Sequence, residues 1–129
     1  MFLEIDSGSP LPVYEQVILQ IKFSIATGAV RPDEMIPSVR ELARILAINP
    51  NTVARAYRAL QTEGIVYTCR GTGLAVSPDG PARCIEDRSQ FFKKRIEQLI
   101  GEANRSWLSE SEIRTMFEET LAAQKEDRK

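Results

Sequence analysis

The sequence predicts a mainly α chain, with three helices and a small β-hairpin in its N-terminal part and two helices in a C-terminal tail. Apolar residues recur at helical spacing in residues 13–28, and two capping motifs open short helices near residues 38 and 49. Two β-prone runs flank a glycine-rich turn at residues 70–73. We expect one domain over residues 1–76, a linker over 77–81 and the tail over 82–129.

A short arm precedes the first predicted helix. Glycine and proline residues between positions 8 and 12 oppose a helix before Val13, so residues 1–12 are expected to be extended. From there to Gly28, apolar side chains form a stripe at helical spacing that can cover a core, and we assign no chemistry to it. The stripe consists of Tyr14, Val17, Ile18, Ile21 and Ile25.

The second and third helices are predicted from their caps. Ser38 and Glu41 form an S-x-x-E capping box, and the apolar face behind it consists of Val39, Leu42, Ala43 and Leu46. Asn49 is a suitable N-cap and Pro50 suits the first helical position, which leaves a link of about three residues between the helices. Gly64 is expected to end the third helix.

The third helix has two contrasting faces. Asn51, Arg55 and Arg58 fall within one narrow arc at about 100° per residue. The opposite, apolar side consists of Val53, Ala56, Tyr57 and Leu60. Asparagine and arginine have the paired donors and acceptors that match adenine and guanine edges in the major groove, which an α-helix can enter. The pair of helices is therefore predicted to be a DNA-binding helix-turn-helix.

A hairpin is predicted directly after it. Residues 65–69 and 74–76 are β-prone, and the tip between them is Arg70-Gly71-Thr72-Gly73, which is small enough to enter a groove and has one cation. Met35 and Ile36 can add a short strand beside this wing. The whole N-terminal part is thus interpreted as a winged helix-turn-helix.

Four motifs in this region resemble the GntR family of transcriptional regulators, in particular its short YtrA branch. They are PSVRELA at residues 37–43, NPNTV-x-RAY at 49–57, L-x-x-EG at 60–64 and GTG at 71–73. The resemblance implies a winged-helix fold and DNA contacts from the starts of both helices and from the wing. With Arg58 from the helical arc and Gly73 from the GTG motif, the predicted DNA-binding residues are Ser38, Arg40, Asn51, Thr52, Arg55, Arg58, Arg70, Gly71, Thr72 and Gly73.

Three positions depart from the family pattern. Pro50 and Ala54 stand where many members have arginine, so the base-reading rules of those branches are not transferred to this chain. Asp33 stands in the turn before Pro37, where the family usually has glycine.

The charge distribution agrees with a nucleic-acid partner. The 129 residues have a net charge of −1, but residues 31–76 contain six basic side chains against four acidic ones. Because this excess is modest, non-specific DNA affinity is expected to be weak and strongly reduced by salt. Cys69 and Cys84 have no metal-ligand spacing and the chain has no histidine, so no metal or cofactor is expected, while a redox role for the cysteines stays open.

The tail is predicted to be two amphipathic helices, the second opened by a capping box of Ser109 and Glu112. About 45 residues cannot enclose their own apolar faces well, so the tail needs a partner. We expect a second copy of the same tail, whereas packing back on its own winged helix is the alternative. The predicted dimerisation residues are Phe92, Ile96, Leu99, Ala103, Ile113, Phe117 and Leu121.

These features predict a cytoplasmic repressor that binds a palindromic DNA operator as a homodimer. The alternative is a winged-helix module that binds proteins and not DNA. An enzyme is not expected, since no nucleophile and base pair and no phosphate loop can be found, and neither a signal peptide nor a membrane span is indicated. A small-molecule effector, if there is one, is expected at a dimer or interdomain crevice. A chain ending at Ser77 is expected to stay folded as a monomer.

Overall fold

The computed structural model describes residues 4–127, which form five helices and one two-stranded antiparallel sheet. The helices are α1 (Val13–Ala26), α2 (Val39–Leu46), α3 (Pro50–Thr62), α4 (Gly80–Arg105) and α5 (Glu110–Asp127), and the strands are β1 (Val66–Cys69) and β2 (Gly73–Val76). The predicted mainly α class is confirmed. The chain divides into two compact units, of which the first ends at Ser89 and the second begins at Gln90.

Helix α1 begins after Pro12, as predicted, and its stripe enters the core through fully buried Val17, Ile21 and Ile25. The preceding arm turns at residues 7–11 and is not extended there, because the Gly8 amide donates to the Asp6 carboxylate at 2.9 Å. The rest of the predicted arm lies outside the described residues. The arm is held on α1 by the buried Gln16 side-chain amide, which forms hydrogen bonds with the backbone of Asp6 and Leu11 at 2.9–3.0 Å. The Glu4 amide also donates to the Gln20 side chain at 2.7 Å.

The caps of α2 and α3 are those that the sequence predicts. The Ser38 hydroxyl accepts from the Glu41 amide at 3.1 Å, and the Glu41 carboxylate accepts from the Ser38 amide at 3.2 Å. Asn49 caps α3, and the link between the helices comprises residues 47–49. The link turns tightly because Ala47 adopts a left-handed conformation with φ of 55°.

The core of the first unit is built around one face of α3, which lies against α1 and α2. Val53, Ala56 and Leu60 are fully buried, and the Tyr57 hydroxyl donates to the Pro37 carbonyl at 2.7 Å. Burial, with a smaller contribution from Glu41, raises the pKa of Tyr57, so the hydroxyl stays a neutral donor. This bond ties α3 to the turn that precedes α2.

The wing pairs Val66 with Val76 and Cys69 with Gly73. Met35 forms one isolated bridge with Ala75, so the short strand predicted beside the wing is reduced to a single pairing. Asp33 takes the left-handed conformation that a glycine adopts more easily, with φ of 65°, and its carboxylate accepts from the Tyr67 hydroxyl at 2.8 Å. This hydrogen bond is the main reason why the pKa of Tyr67 is raised to about 12.

The linker predicted at residues 77–81 is shorter in the structure, because α4 begins at Gly80. Turn-forming residues suit a helix start as well as a linker, and here the Gly80 amide donates to the Ser77 carbonyl at 2.9 Å. Gly80 is packed closely: an added Cβ would lie 3.2 Å from the Ile65 carbonyl oxygen. Cys84 is fully buried in the core, so the first unit includes the beginning of α4 and would lose part of its core if the chain ended at Ser77.

An ion cluster also joins α4 to the first unit. The Lys22 ammonium lies 3.0 Å from a Glu63 carboxylate oxygen and 3.1 Å from one of Asp87. Burial alone would lower the pKa of Lys22, but the hydrogen bonds and attraction of the two carboxylates raise it above its ordinary value. The charged form is therefore retained, and it connects α1, the end of α3 and α4.

The second unit contains the end of α4 and all of α5. The predicted capping box is confirmed, with the Glu112 amide donating to the Ser109 hydroxyl at 3.1 Å. Trp107 lies in the turn between the helices with φ of 66°, and 91% of it is exposed. None of the described residues of α5 is buried. Across residues 4–127, every helix is too short or too polar to cross a membrane.

The two cysteines are expected to differ sharply in reactivity. Burial raises the pKa of Cys84 to about 11, whereas Cys69 is only partly buried in the wing. A chromogenic disulfide reagent at neutral pH should therefore modify Cys69 at least about a hundredfold faster than Cys84. Cys69→Ser and Cys84→Ser assign the two phases. Equal rates would show that the start of α4 does not belong to the core.

Candidate nucleic-acid interface

The start of α2, the middle of α3 and the wing meet around one groove of about 280 Å³. Its lining residues are Val39, Ala54, Tyr57, Arg58, Gln61, Thr68, Gly73 and Leu74. The Gln61 side-chain amide donates to the Thr68 hydroxyl at 2.7 Å, which fixes β1 to α3. Folding thus gathers the three elements on which the sequence places candidate DNA-binding residues.

The candidate residues are accessible. All of them are exposed except Thr52, which is half-buried at the start of α3. The predicted division of α3 into an exposed arc and a buried face is confirmed, because Asn51, Arg55 and Arg58 point away from the core. Their contact with DNA stays a prediction.

The cations of this surface have no carboxylate partners within residues 4–127. None of Arg40, Arg55, Arg58 and Arg70 forms an ion pair there. Glu63 is the acidic residue that follows α3, and its carboxylate is already held by Lys22. The surface therefore offers arginine side chains that can meet phosphates or base edges without first breaking an ion pair.

The Ser38 hydroxyl can accept one hydrogen bond and donate another. Its oxygen accepts from the Glu41 amide, while its own proton can still be donated to an acceptor outside the chain. Arg40 lies two residues further along and is exposed in the first turn of α2. A hydroxyl and a guanidinium at one helix start form an arrangement that can bind a phosphate group.

Arg55 contacts the aromatic ring of Tyr14, to which the sequence pattern assigns no function beyond packing. Its guanidinium carbon lies 3.7 Å from the ring centroid of Tyr14, at the start of α1. The helical stripe indicated only that Tyr14 faces the core. No local signal marks the pair, because the two residues come from different helices and meet only in the folded chain.

The tip of the wing requires glycine. The Thr72 amide donates to the Cys69 carbonyl at 3.0 Å and closes the turn. Gly71 has φ of 76° and Gly73 has φ of 116°, and the second value lies where residues with a Cβ are essentially absent. The backbone of the tip is therefore set by the GTG motif, which leaves Arg70 and Thr72 exposed.

Residues 13–76 match the family model described as bacterial regulatory proteins of the gntR family. The chain is also 41% identical, over 102 residues, to the HTH-type transcriptional repressor YtrA of Bacillus subtilis (strain 168). This alignment covers 79% of the chain and 78% of the relative. The chain belongs to the GntR family. The predicted resemblance to its YtrA branch is confirmed.

Solved GntR-family structures have the same fold. A GntR family transcriptional regulator from Listeria monocytogenes superposes with a TM-score of 0.74 at 32% identity, over 89% of this chain and 98% of that one. The AraR DNA-binding domain in complex with operator ORX1 superposes with a TM-score of 0.54 at 30% identity, over 60% of this chain and 99% of that one. The second structure is a DNA-binding domain in complex with operator DNA.

The two wing glycines should differ in their tolerance of a side chain. Gly71→Ala should cost about 1 kcal/mol, because its added Cβ meets nothing within 4 Å and only the left-handed backbone is disfavoured. Gly73→Ala should cost more, since its conformation is less accessible and the Cβ would lie 3.2 Å from the Met35 Cε. Denaturant unfolding measures both free energies, and an equal loss would contradict this account of the tip.

Proposed function

We propose that this GntR-family chain is a sequence-specific repressor of transcription that binds a palindromic DNA operator as a homodimer. One observation supports it most strongly. The exposed arc of α3 contains Asn51, Arg55 and Arg58 without an ion-pair partner among the described residues, and the wing lies beside it. The relatives agree with this proposal, since one is a transcriptional repressor and another is a DNA-binding domain in complex with an operator.

The proposed contacts fall into two classes. Asn51 and Arg55 come early on α3. Asn51 presents one donor and one acceptor and Arg55 presents a pair of donors, so we assign them to base edges in the major groove. Ser38 and Arg40 open α2 and are assigned to phosphates, which position the protein without reading sequence. Apart from Arg70, the wing residues 70–73 have small side chains. A tip of this size can lie beside the DNA backbone or enter a DNA groove.

A protein-binding module without DNA contacts is the competing function. Such a surface usually has apolar or aromatic residues at its centre. The exposed face of α3 is instead polar and cationic, and Glu63 does not reduce its charge because Lys22 holds that carboxylate. We propose no catalytic, metal or cofactor role, and we place the protein in the cytoplasm, where its DNA partner is.

The proposed dimer forms through the second unit. Phe92, Ile96 and Leu99 on α4 are 45%, 46% and 54% exposed, and Leu121 on α5 is 69% exposed. Between the helices lies an apolar groove of about 360 Å³, which Ala103, Ile113 and Phe117 help to line together with Leu99. So much exposed apolar surface is unfavourable in water and is typical of an interface.

A second copy of the tail is the proposed partner because it offers the same apolar surface and gives two-fold symmetry. Two DNA-binding domains related by such an axis match an operator with two half-sites. The groove of a single tail is open and is covered by the partner in this arrangement. An effector would therefore bind where two tails meet and not within one tail.

Loss of Arg55 and loss of Arg40 should have different effects on binding. Arg55→Ala should remove about 1–3 kcal/mol of discrimination at one position of each half-site, because a paired base contact disappears. Arg40→Ala should weaken all sequences alike and lower the salt slope by about one ion, because a phosphate contact disappears.

Titrations at several salt concentrations separate the two effects, with an operator selected from random DNA and a scrambled duplex of equal composition. Arg114→Ala in α5 is the matched control and should change neither quantity. If Arg55→Ala weakened both duplexes equally, its assignment to base reading would be withdrawn. A wild-type chain that binds neither duplex would favour the protein-binding module, and one that binds both alike would refute sequence-specific binding.

The proposed dimer can be tested by shortening the chain at the boundary between the units. A chain ending at Ser89 keeps Cys84 and Asp87 and should remain folded, yet sediment as a monomer. In the full chain Leu99→Asp should also give a monomer, because it puts a charge into the apolar seam. Glu97→Gln is the control on the same helix. A dimer that persists in the shortened chain would refute the proposed interface.

A further inference from the structure

The Arg55 guanidinium is stacked on Tyr14 with its edge left open. At 3.7 Å from the ring centroid, the guanidinium carbon lies over the face of the ring, the geometry in which a cation is attracted by the ring quadrupole. Stacking uses the face of the guanidinium and leaves its N–H donors pointing outward in the plane. Within residues 4–127 no hydrogen bond or ion pair occupies those donors.

The Tyr14 ring beneath the Arg55 guanidinium is attached to a well-packed part of α1. Tyr14 is the second residue of α1 and is half-buried, and its hydroxyl lies 3.3 Å from a Glu15 carboxylate oxygen. One turn later Val17 is fully buried in the core that α1 shares with α3. The backbone that bears the ring is therefore fixed beside α3 by the core packing.

We propose that Tyr14 is a positioning residue for DNA recognition, which holds the Arg55 guanidinium in the orientation needed to meet a base edge. This inference rests on the proposed function, in which Arg55 reads a base. A free arginine side chain samples many rotamers and loses that freedom on binding. A guanidinium already stacked on Tyr14 has lost part of it beforehand, so binding costs less and the direction of the donors is fixed.

Arg58 provides a comparison within the same helix. It lies on the same exposed arc, three residues after Arg55, but no aromatic ring of residues 4–127 lies beneath its guanidinium. Loss of the Tyr14 ring should therefore affect the contribution of Arg55 and leave that of Arg58 unchanged. A general distortion of α3 would affect both.

The test is a double-mutant cycle on the full chain, with the selected operator and the scrambled duplex as probes. Tyr14→Leu and Tyr14→Met remove the ring but keep apolar bulk, and the variant that retains the wild-type unfolding midpoint is used. It should lower operator affinity about 3- to 10-fold. Tyr14→Phe keeps the ring and should stay within about twofold of wild type. In the Arg55→Ala background the loss should vanish, whereas in the Arg58→Ala background it should persist.

Each part of the inference has its own deciding measurement. If Tyr14→Leu still lowered operator affinity in the Arg55→Ala background, the positioning role would be overturned. It would also be overturned if Tyr14→Leu did not lower operator affinity in the wild-type background. Failure of Tyr14→Phe to retain affinity would also overturn it, since the ring would then not be the active part. The proposed function is judged separately: if coupling exists but is equal on both duplexes, Tyr14 positions Arg55 toward phosphates and base reading by Arg55 is refuted.

Discussion

Burial of one face of α3 is the constraint on which the other features of the first unit depend. Val53, Ala56 and Leu60 are completely removed from water, and each large aliphatic side chain contributes about 1.5–3 kcal/mol when buried. Once this face is fixed against α1 and α2, helical geometry determines which side chains face outward. The exposure of Asn51 and Arg55 is thus a consequence of the packing of the opposite face.

Charge placement follows the same division between inside and outside. The chain as a whole is slightly acidic, yet the arginines of α3 and the wing have no ion-pair partner within residues 4–127. The Glu63 carboxylate at the end of α3 is paired with Lys22, and the same ammonium binds Asp87 on α4. A chain of negative net charge can in this way have a cationic interface.

The sequence predicted features whose causes are local. The caps at Ser38, Asn49 and Ser109 depend on atoms within three residues, and the two faces of α3 depend only on helical spacing. Several features that need distant partners were not predicted. The start of α4 at Gly80 could not be separated from a linker, because the deciding fact is that Cys84 fills a gap in a core formed by other helices. The Tyr14 and Arg55 pair, and the hydrogen bond of Tyr67 to Asp33, likewise exist only after folding.

The aromatic residues give the two units separate optical signals. Trp107 is the single tryptophan and lies in the second unit, whereas all three tyrosines lie in the first. Tryptophan emission therefore reports the surroundings of the second unit, and the tyrosine signal reports those of the first. Because 91% of Trp107 is exposed in the single chain, a shift of its emission to shorter wavelength with rising concentration would indicate that another molecule covers this turn. The surroundings of the two units can thus be followed separately without adding a dye.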